Sequence, residues 1–220
     1  MVRCKWAMGK PRSPAGRAAL LHARLEKEYD AHCELVHGNA FELLVATILS
    51  AQCTDVRVNA TTPALFDYYP DSSAMASAEL AHLEELVRST GFYRNKAKNL
   101  RRMANQLLDS HNGEVPESRK DLVELAGVGR KTANVIRSVA FGLPGLPVDT
   151  HVGRLARRLC LTDEEDPERI EMVLNPLIPK KERGEFSLRL ILHGRQVCFA
   201  RKPSCDVCLL NDFCPSAFMV

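Results

Sequence analysis

The chain has 220 residues, 30 Lys and Arg against 27 Asp and Glu, and 8 cysteines. At 45% hydrophobic and 26% charged it holds enough apolar surface for one large core or two small ones, which excludes wholesale disorder. The longest apolar stretch, Phe41–Ala51, is interrupted by Glu42 and is too short to span a bilayer, so no membrane partner is expected. The N-terminus is basic but has no apolar run longer than Ala18–Leu21, which argues against a secretory leader, and it is too poor in serine for an organellar transit peptide. A reducing, cytoplasmic location follows, where cysteines bind metal or stay buried more often than they pair.

The net charge of +3 is unevenly spread. Residues 1–32 carry +4, residues 33–117 carry −4, residues 118–161 carry +5 and residues 162–220 carry −2. A segmental basic excess is the pattern of a localised nucleic-acid footprint, although a solvated helix face produces the same counts.

In chain order, nearly every segment has helical periodicity. Asn39 with Glu42 three residues on forms a capping box that opens Ala40–Ala51, with Phe41, Leu44, Val45, Ile48 and Leu49 on one face. Asp55 caps a second helix toward Phe66, and Ser77 starts Ala78–Ser89, which Gly91 stops. Arg94–His111 places Leu100, Met103, Leu107 and Leu108 at helical spacing and ends at Asn112-Gly113. Ser118 and Asp121 cap Leu122–Leu125, and Arg130–Phe141 follows a Gly127-Val128-Gly129 turn. Pro144 and Pro147 hold Leu143–Val148 extended, because a residue preceding proline avoids the helical region. Helices resume at Thr150–Leu161, Pro167–Leu177 and Glu182–Phe199. No segment reads as a strand, so the fold class is all-α, with its best internal boundary at Leu143–Val148.

Three features carry chemistry. Cys198, Cys205, Cys208 and Cys214 are spaced C-x6-C-x2-C-x5-C, close enough for four thiolates to converge on one soft metal centre. The spacing alone leaves tetrahedral zinc and an iron–sulfur cluster about even. Cys4, Cys33, Cys53 and Cys160 lack such spacing and read as free or buried thiols. The second feature, Leu125-Ala-Gly-Val-Gly-Arg-Lys-Thr-Ala133, is neither a phosphate loop of the GxxxxGKT type nor a dinucleotide fingerprint, because Leu125, Arg130 and Thr132 stand where glycines are needed. It reads as a tight hairpin between two helices. Its backbone N–H groups and the following helix N-terminus can hold a nucleic-acid phosphate without reading sequence. Lys131 is either a phosphate contact or a nucleophile; a neutral lysine at pH 7 costs about 4 kcal/mol, which burial or nearby cations must supply. The third feature is Asp149 in Pro147-Val-Asp-Thr-His151, either a plain N-cap or a carboxylate kept ionised by a helix dipole to stabilise a cation.

Taken together, Leu49-Ser-Ala-Gln-Cys-Thr-Asp55, the Leu125–Ala133 hairpin, Val148-Asp-Thr-His151, Leu192-His-Gly-Arg195 and the C-terminal cysteines closely resemble the endonuclease III family of bifunctional DNA glycosylase/lyases, over about Phe41–Cys214. The resemblance implies two helical lobes with DNA between them. One is a six-helix barrel lobe, 33–143, with the helix-hairpin-helix; the other joins 1–32 to 144–220 around a [4Fe–4S] cluster on Cys198, Cys205, Cys208 and Cys214. It implies base-excision repair of oxidised pyrimidines in damaged duplex DNA by a monomer, near the nucleoid if the source is bacterial. Lys131 becomes the nucleophile and Asp149 its catalytic partner. Gln52 fills the space left by the flipped base, and Phe92 lies beside the orphaned partner base. Gly127, Gly129, Arg130 and Thr132 in the hairpin, with Arg201 and Lys202 between the first two cluster cysteines, contact DNA.

Three positions depart from the family pattern: Ala126 replaces a common hairpin proline, Cys53 adds an oxidisable thiol, and Phe92 stands where an aliphatic wedge is usual. A monofunctional relative that excises mismatched adenine lacks the hairpin lysine and carries an extra C-terminal domain; Lys131 and the stop at Val220 argue against it. A non-catalytic iron–sulfur DNA-binding or redox-sensing protein needs neither Lys131 nor Asp149.

Overall fold

The computed structural model describes Pro11 and residues 13–219; Cys4 and most of the basic start lie outside them. Among the described residues there are eleven α-helices and no strand, and none of the helices is long and apolar enough to cross a membrane. The chain divides into two compact units, one of Cys33–Leu143 and one joining the segment up to His32 with that from Pro144 onward.

The contiguous unit is built around α2 (Ala40–Leu49), which is buried on every side from Leu43 to Leu49 rather than on one face. The capping box forms: Asn39 Oδ1 accepts from the Glu42 amide at 2.9 Å, and Glu42 Oε2 accepts from the Gly38 amide at 2.6 Å. Helix α3 (Asp55–Tyr68) is capped by Thr54, not Asp55. The stretch expected as one helix from Ala78 breaks up: Asp71 caps α4 (Ser72–Ala76), Ser77 closes it, and α5 (Leu80–Leu86) passes into a 3-10 turn, Arg88–Thr90. The five-residue α4 is thus an addition to the six helices expected here. Helix α6 (Tyr93–His111) buries Leu100, Met103 and Leu107, each contributing about 1.5–3 kcal/mol, and leaves Leu108 partly exposed. Asn112, in the left-handed region, ends it. Helices α7 (Arg119–Glu124) and α8 (Arg130–Val135) flank the hairpin, and α8 continues as one π turn, Ile136–Ala140.

In the other unit, α1 (Pro14–Glu28) escaped the sequence reading although Ser13 caps it and Pro14 occupies its first position. It packs Ala18, Leu21 and Leu25 into a core shared with α9 (Thr150–Arg158), α10 (Pro167–Leu174) and α11 (Arg183–Gln196). Buried Arg17 donates to the carbonyls of Leu159 and Cys160, satisfying chain that has just left α9. Cys160 is buried, one of the two states expected of the cysteines outside the C-terminal group.

Candidate functional site

The hairpin between α7 and α8 is held from outside by one side chain. Gln106 on α6 donates to the Glu124 carbonyl at 3.0 Å and accepts from the Ala126 amide at 2.7 Å. That clamp orders the turn without the proline that Ala126 replaces. The two glycines serve different needs. Gly127 has φ +80°, and a Cβ there would sit 3.1 Å from Asn99 Cβ, so the fold itself demands glycine. Gly129 has an ordinary extended φ of −96° and nothing within 4 Å of a Cβ position. Its missing side chain serves nothing inside the protein and leaves the start of α8 open from outside. Lys131 is exposed in the first turn of α8, with Arg130 and Thr132 half-buried beside it. The burial asked of a nucleophilic lysine is absent.

Asp149 belongs to the other unit. It does cap α9: Oδ1 accepts from the Val152 amide at 2.8 Å. A cap uses one carboxylate oxygen, so the second remains for chemistry, and half-burial keeps it reachable.

Gln52 and Phe92 share an unusual backbone. Both have left-handed φ values, +54° and +48°, and both are exposed, Phe92 by 66%. For residues with a Cβ that conformation costs about 1–2 kcal/mol, and such strain concentrates at functional positions. Sequence reasoning missed the group lying behind them. Lys96, only 5% exposed, donates to the Leu49 carbonyl at 2.8 Å and to the Thr90 carbonyl at 2.7 Å. Burial lowers its pKa, and the neighbouring Cys53 sulfur opposes that shift. The signal was present: Lys96 lies one turn ahead of Leu100 on the buried stripe of α6, where an apolar residue is the rule.

Cys198, Cys205, Cys208 and Cys214 are all unpaired thiols, partly buried. They line one solvent-open cavity, together with Leu155, Val197 and Leu210. Among the described residues no three Cys, His, Asp or Glu side chains converge closely enough to hold a metal ion between them. Four thiols ringing a wider space suit a polynuclear cluster better than a single zinc ion. The electrostatics agree. Burial, with the other cysteines adding to it, pushes the Cys214 thiol up to about 11 and also raises Cys208. Thiolates at Cys208 and Cys214 are therefore stable here only beside a cationic centre. Two polar groups meet the sulfurs: Arg158 Nη1 donates to Cys198 Sγ at 3.2 Å, and His193 Nε2 shares a hydrogen bond with Cys208 Sγ at 3.4 Å. His193 is almost fully buried and keeps a lowered pKa of about 4 through desolvation. Arg158 also donates to the carbonyls of Phe199 and Ala200, fastening the segment that presents exposed Arg201 and Lys202.

Residues 45–180 match the HhH-GPD superfamily of base excision DNA repair proteins, and residues 198–214 match the iron-sulfur binding domain of endonuclease III. Endonuclease III of Synechocystis is 51% identical, over 94% of this chain and 96% of the relative. A solved non-covalent endonuclease III–DNA complex superposes with a TM-score of 0.87 at 44% identity, over 91% of this chain and 94% of that one. A trapped endonuclease III–DNA covalent intermediate, an estranged-adenine complex, gives the same TM-score and identity over 91% and 95%.

Proposed function

This chain belongs to the endonuclease III family, within the HhH-GPD superfamily of base excision DNA repair proteins, and on that premise we propose how its residues share the reaction. It is a bifunctional DNA glycosylase and abasic-site lyase for oxidised pyrimidines, and it carries a [4Fe–4S] cluster. The substrate is damaged duplex DNA, bound by a monomer in the cytoplasm. A base cannot be processed inside the stack, so it is flipped out, and a pyrimidine that has lost its aromaticity stacks poorly and flips at lower cost.

The hairpin binds backbone phosphate at the start of α8 through Gly127, Gly129, Arg130 and Thr132, a contact that positions without reading sequence. Arg201 and Lys202 add phosphate contacts. Lys131 is the nucleophile. Its nitrogen lone pair attacks C1′ of the sugar, the C1′–N bond breaks, and the base leaves with that electron pair. Opening of the sugar ring at C1′–O4′ produces a protonated Schiff base. Loss of a proton from C2′ sends its electron pair toward the iminium to give an enamine. The nitrogen lone pair then re-forms the iminium, a C2′=C3′ double bond forms, and the C3′–O bond breaks with its pair leaving on the 3′-phosphate. Asp149, at the start of α9, takes the proton from the incoming amine and stabilises the cationic sugar. Gln52 fills the space the base vacates, and Phe92 stacks beside the orphaned partner. Cys198, Cys205, Cys208 and Cys214 hold the cluster, which supplies a rigid cross-link to the Arg201–Lys202 segment rather than base chemistry.

The observation that carries this reading is Lys131 exposed in the first turn after a hairpin whose second glycine the fold does not require. Borohydride trapping on a thymine-glycol duplex tests it. Wild type gives a covalent protein–DNA adduct and Lys131→Ala gives none; an adduct that survives the substitution moves the nucleophile elsewhere. No adduct from wild type ends the lyase assignment.

A further inference from the structure

Gln52 and Phe92 lie on different segments, forty residues apart, yet one buried ammonium joins their bases. Leu49 is the last residue of α2, three positions before Gln52, and its carbonyl is one that α2 cannot satisfy internally. Thr90 closes the 3-10 turn two positions before Phe92. Lys96 Nζ donates to both carbonyls, at 2.8 and 2.7 Å, while its own backbone amide donates to the Phe92 carbonyl at 3.1 Å. Lys96 thus grips the Phe92 turn from two sides and the Gln52 turn from one.

This lysine is costly for the fold. It sits in the first turn of α6, where the helix dipole repels a cation. It is buried, and among the described residues no carboxylate pairs with it, so desolvation is offset by neutral carbonyls and the nearby Cys53 sulfur. An apolar residue on this stripe is the simpler choice for a core. The residues it supports are also the costly ones, since Gln52 and Phe92 are exposed side chains on left-handed backbone. Costs at one place, converging on two exposed side chains, are what a functional constraint leaves behind.

We propose that Lys96 is a positioning residue that fixes the spacing between Gln52 and Phe92, so that both enter the duplex in register. The inference rests on the reading that these two side chains probe the stack. Misplacing such groups by an ångström costs up to about 100-fold in rate.

The test compares two substrates in the cluster-loaded full chain. A thymine-glycol duplex requires insertion into the stack; an abasic single strand offers no paired partner to displace. Lys96→Met keeps the aliphatic stem and removes the ammonium. It is expected to lower the ratio of duplex to single-strand rates by about 10- to 100-fold. It is also expected to abolish the fluorescence rise of 2-aminopurine placed opposite the lesion, with Lys96→Arg recovering part of both. Equal losses on the two substrates that follow a drop in Tm make Lys96 merely structural and overturn the proposal. Should K96M not fold, K96Q, which keeps a donor for one carbonyl, is read the same way. The combined variant Gln52→Ala, Phe92→Ala separates the two ideas. If it keeps full duplex preference, the stack-probing reading fails; if it loses that preference and K96M does not, only the positioning role of Lys96 falls.

Discussion

Asp149 combines two duties that substitution can separate. As an N-cap it needs only a side-chain oxygen toward the Val152 amide, and asparagine caps about as well as aspartate. As the partner of a cationic intermediate it needs negative charge. Asp149→Asn is therefore expected to keep its Tm within a degree or two while glycosylase turnover falls by about 100-fold or more. Asp149→Ala should lose a further ~1 kcal/mol of stability with the cap. Equal activity of D149N and wild type would leave this residue a cap alone. Tyr29 makes a pH-dependent contribution. Its hydroxyl bonds His193 Nδ1 at 2.9 Å, and burial, with Glu28 and Cys208 adding, raises its pKa from 10 to about 12. Unfolded chain then loses this proton before folded chain does. The stabilisation is complete below pH 10 and disappears as the pH rises toward 12. Tyr29→Phe should flatten that part of the alkaline unfolding curve followed by circular dichroism.

At the level of elements, the glycines of the hairpin give opposite forecasts. Gly127→Ala forces a side chain onto positive φ and against Asn99, so it should lower stability by about 1–2 kcal/mol and DNA affinity with it. Gly129→Ala meets nothing inside the fold. Its Tm should match wild type while DNA affinity falls, because the methyl group stands where a phosphate must approach; unchanged affinity in a binding titration would remove Gly129 from the interface. The hairpin and its flanking helices were legible in the sequence because glycine, helix periodicity and basic residues coincide over nine positions. The α4–α5 region was not, since Ser77 is acceptable at either end of a helix and only packing decides which. The clamp by Gln106 was also beyond reach, and so were the carbonyl partners of Lys96, although its place on the α6 stripe signalled its burial. Both are contacts between segments distant in sequence, made by residue types that solvent tolerates equally well. Asp149 illustrates the remaining ambiguity: capping and catalysis ask for the same atom type at the same helix position, so spacing alone does not choose between them.

Across the whole molecule, the cations proposed to meet DNA receive separate physical supports. The hairpin cations sit on α8 in the contiguous unit, while Arg201 and Lys202 hang on a segment fastened by Arg158 and the cysteines. Removing either of the latter two charges should weaken binding similarly on all sequences. The slope of log affinity against log salt should shrink by about 1 per charge removed. Removing iron by oxidation and chelation should act on the same term, loosening residues 199–204 and making them open to protease while the contiguous unit stays protected. Protein that is colourless and contains zinc in place of iron and sulfide would overturn the cluster assignment. The match of residues 198–214 to the iron-sulfur binding domain of endonuclease III made this assignment firmer than the cysteine spacing could, because spacing alone suits zinc as well.

The order in which the two units can be completed during synthesis differs. Cys33–Leu143 is continuous and has its whole core once its last residue has emerged, so it can fold while translation proceeds. Helix α1 is made earlier but waits longer. The partners of Ala18, Leu21 and Leu25 lie on helices beyond Pro144, and the unit's last cysteine is residue 214. The nascent chain therefore exposes the apolar stripe of α1 until those helices have been made, and iron can be loaded only after Cys214 has emerged. Slow synthesis beyond Pro144 or scarce iron should consequently be felt first as aggregation through α1, in a protein whose hairpin unit is already native.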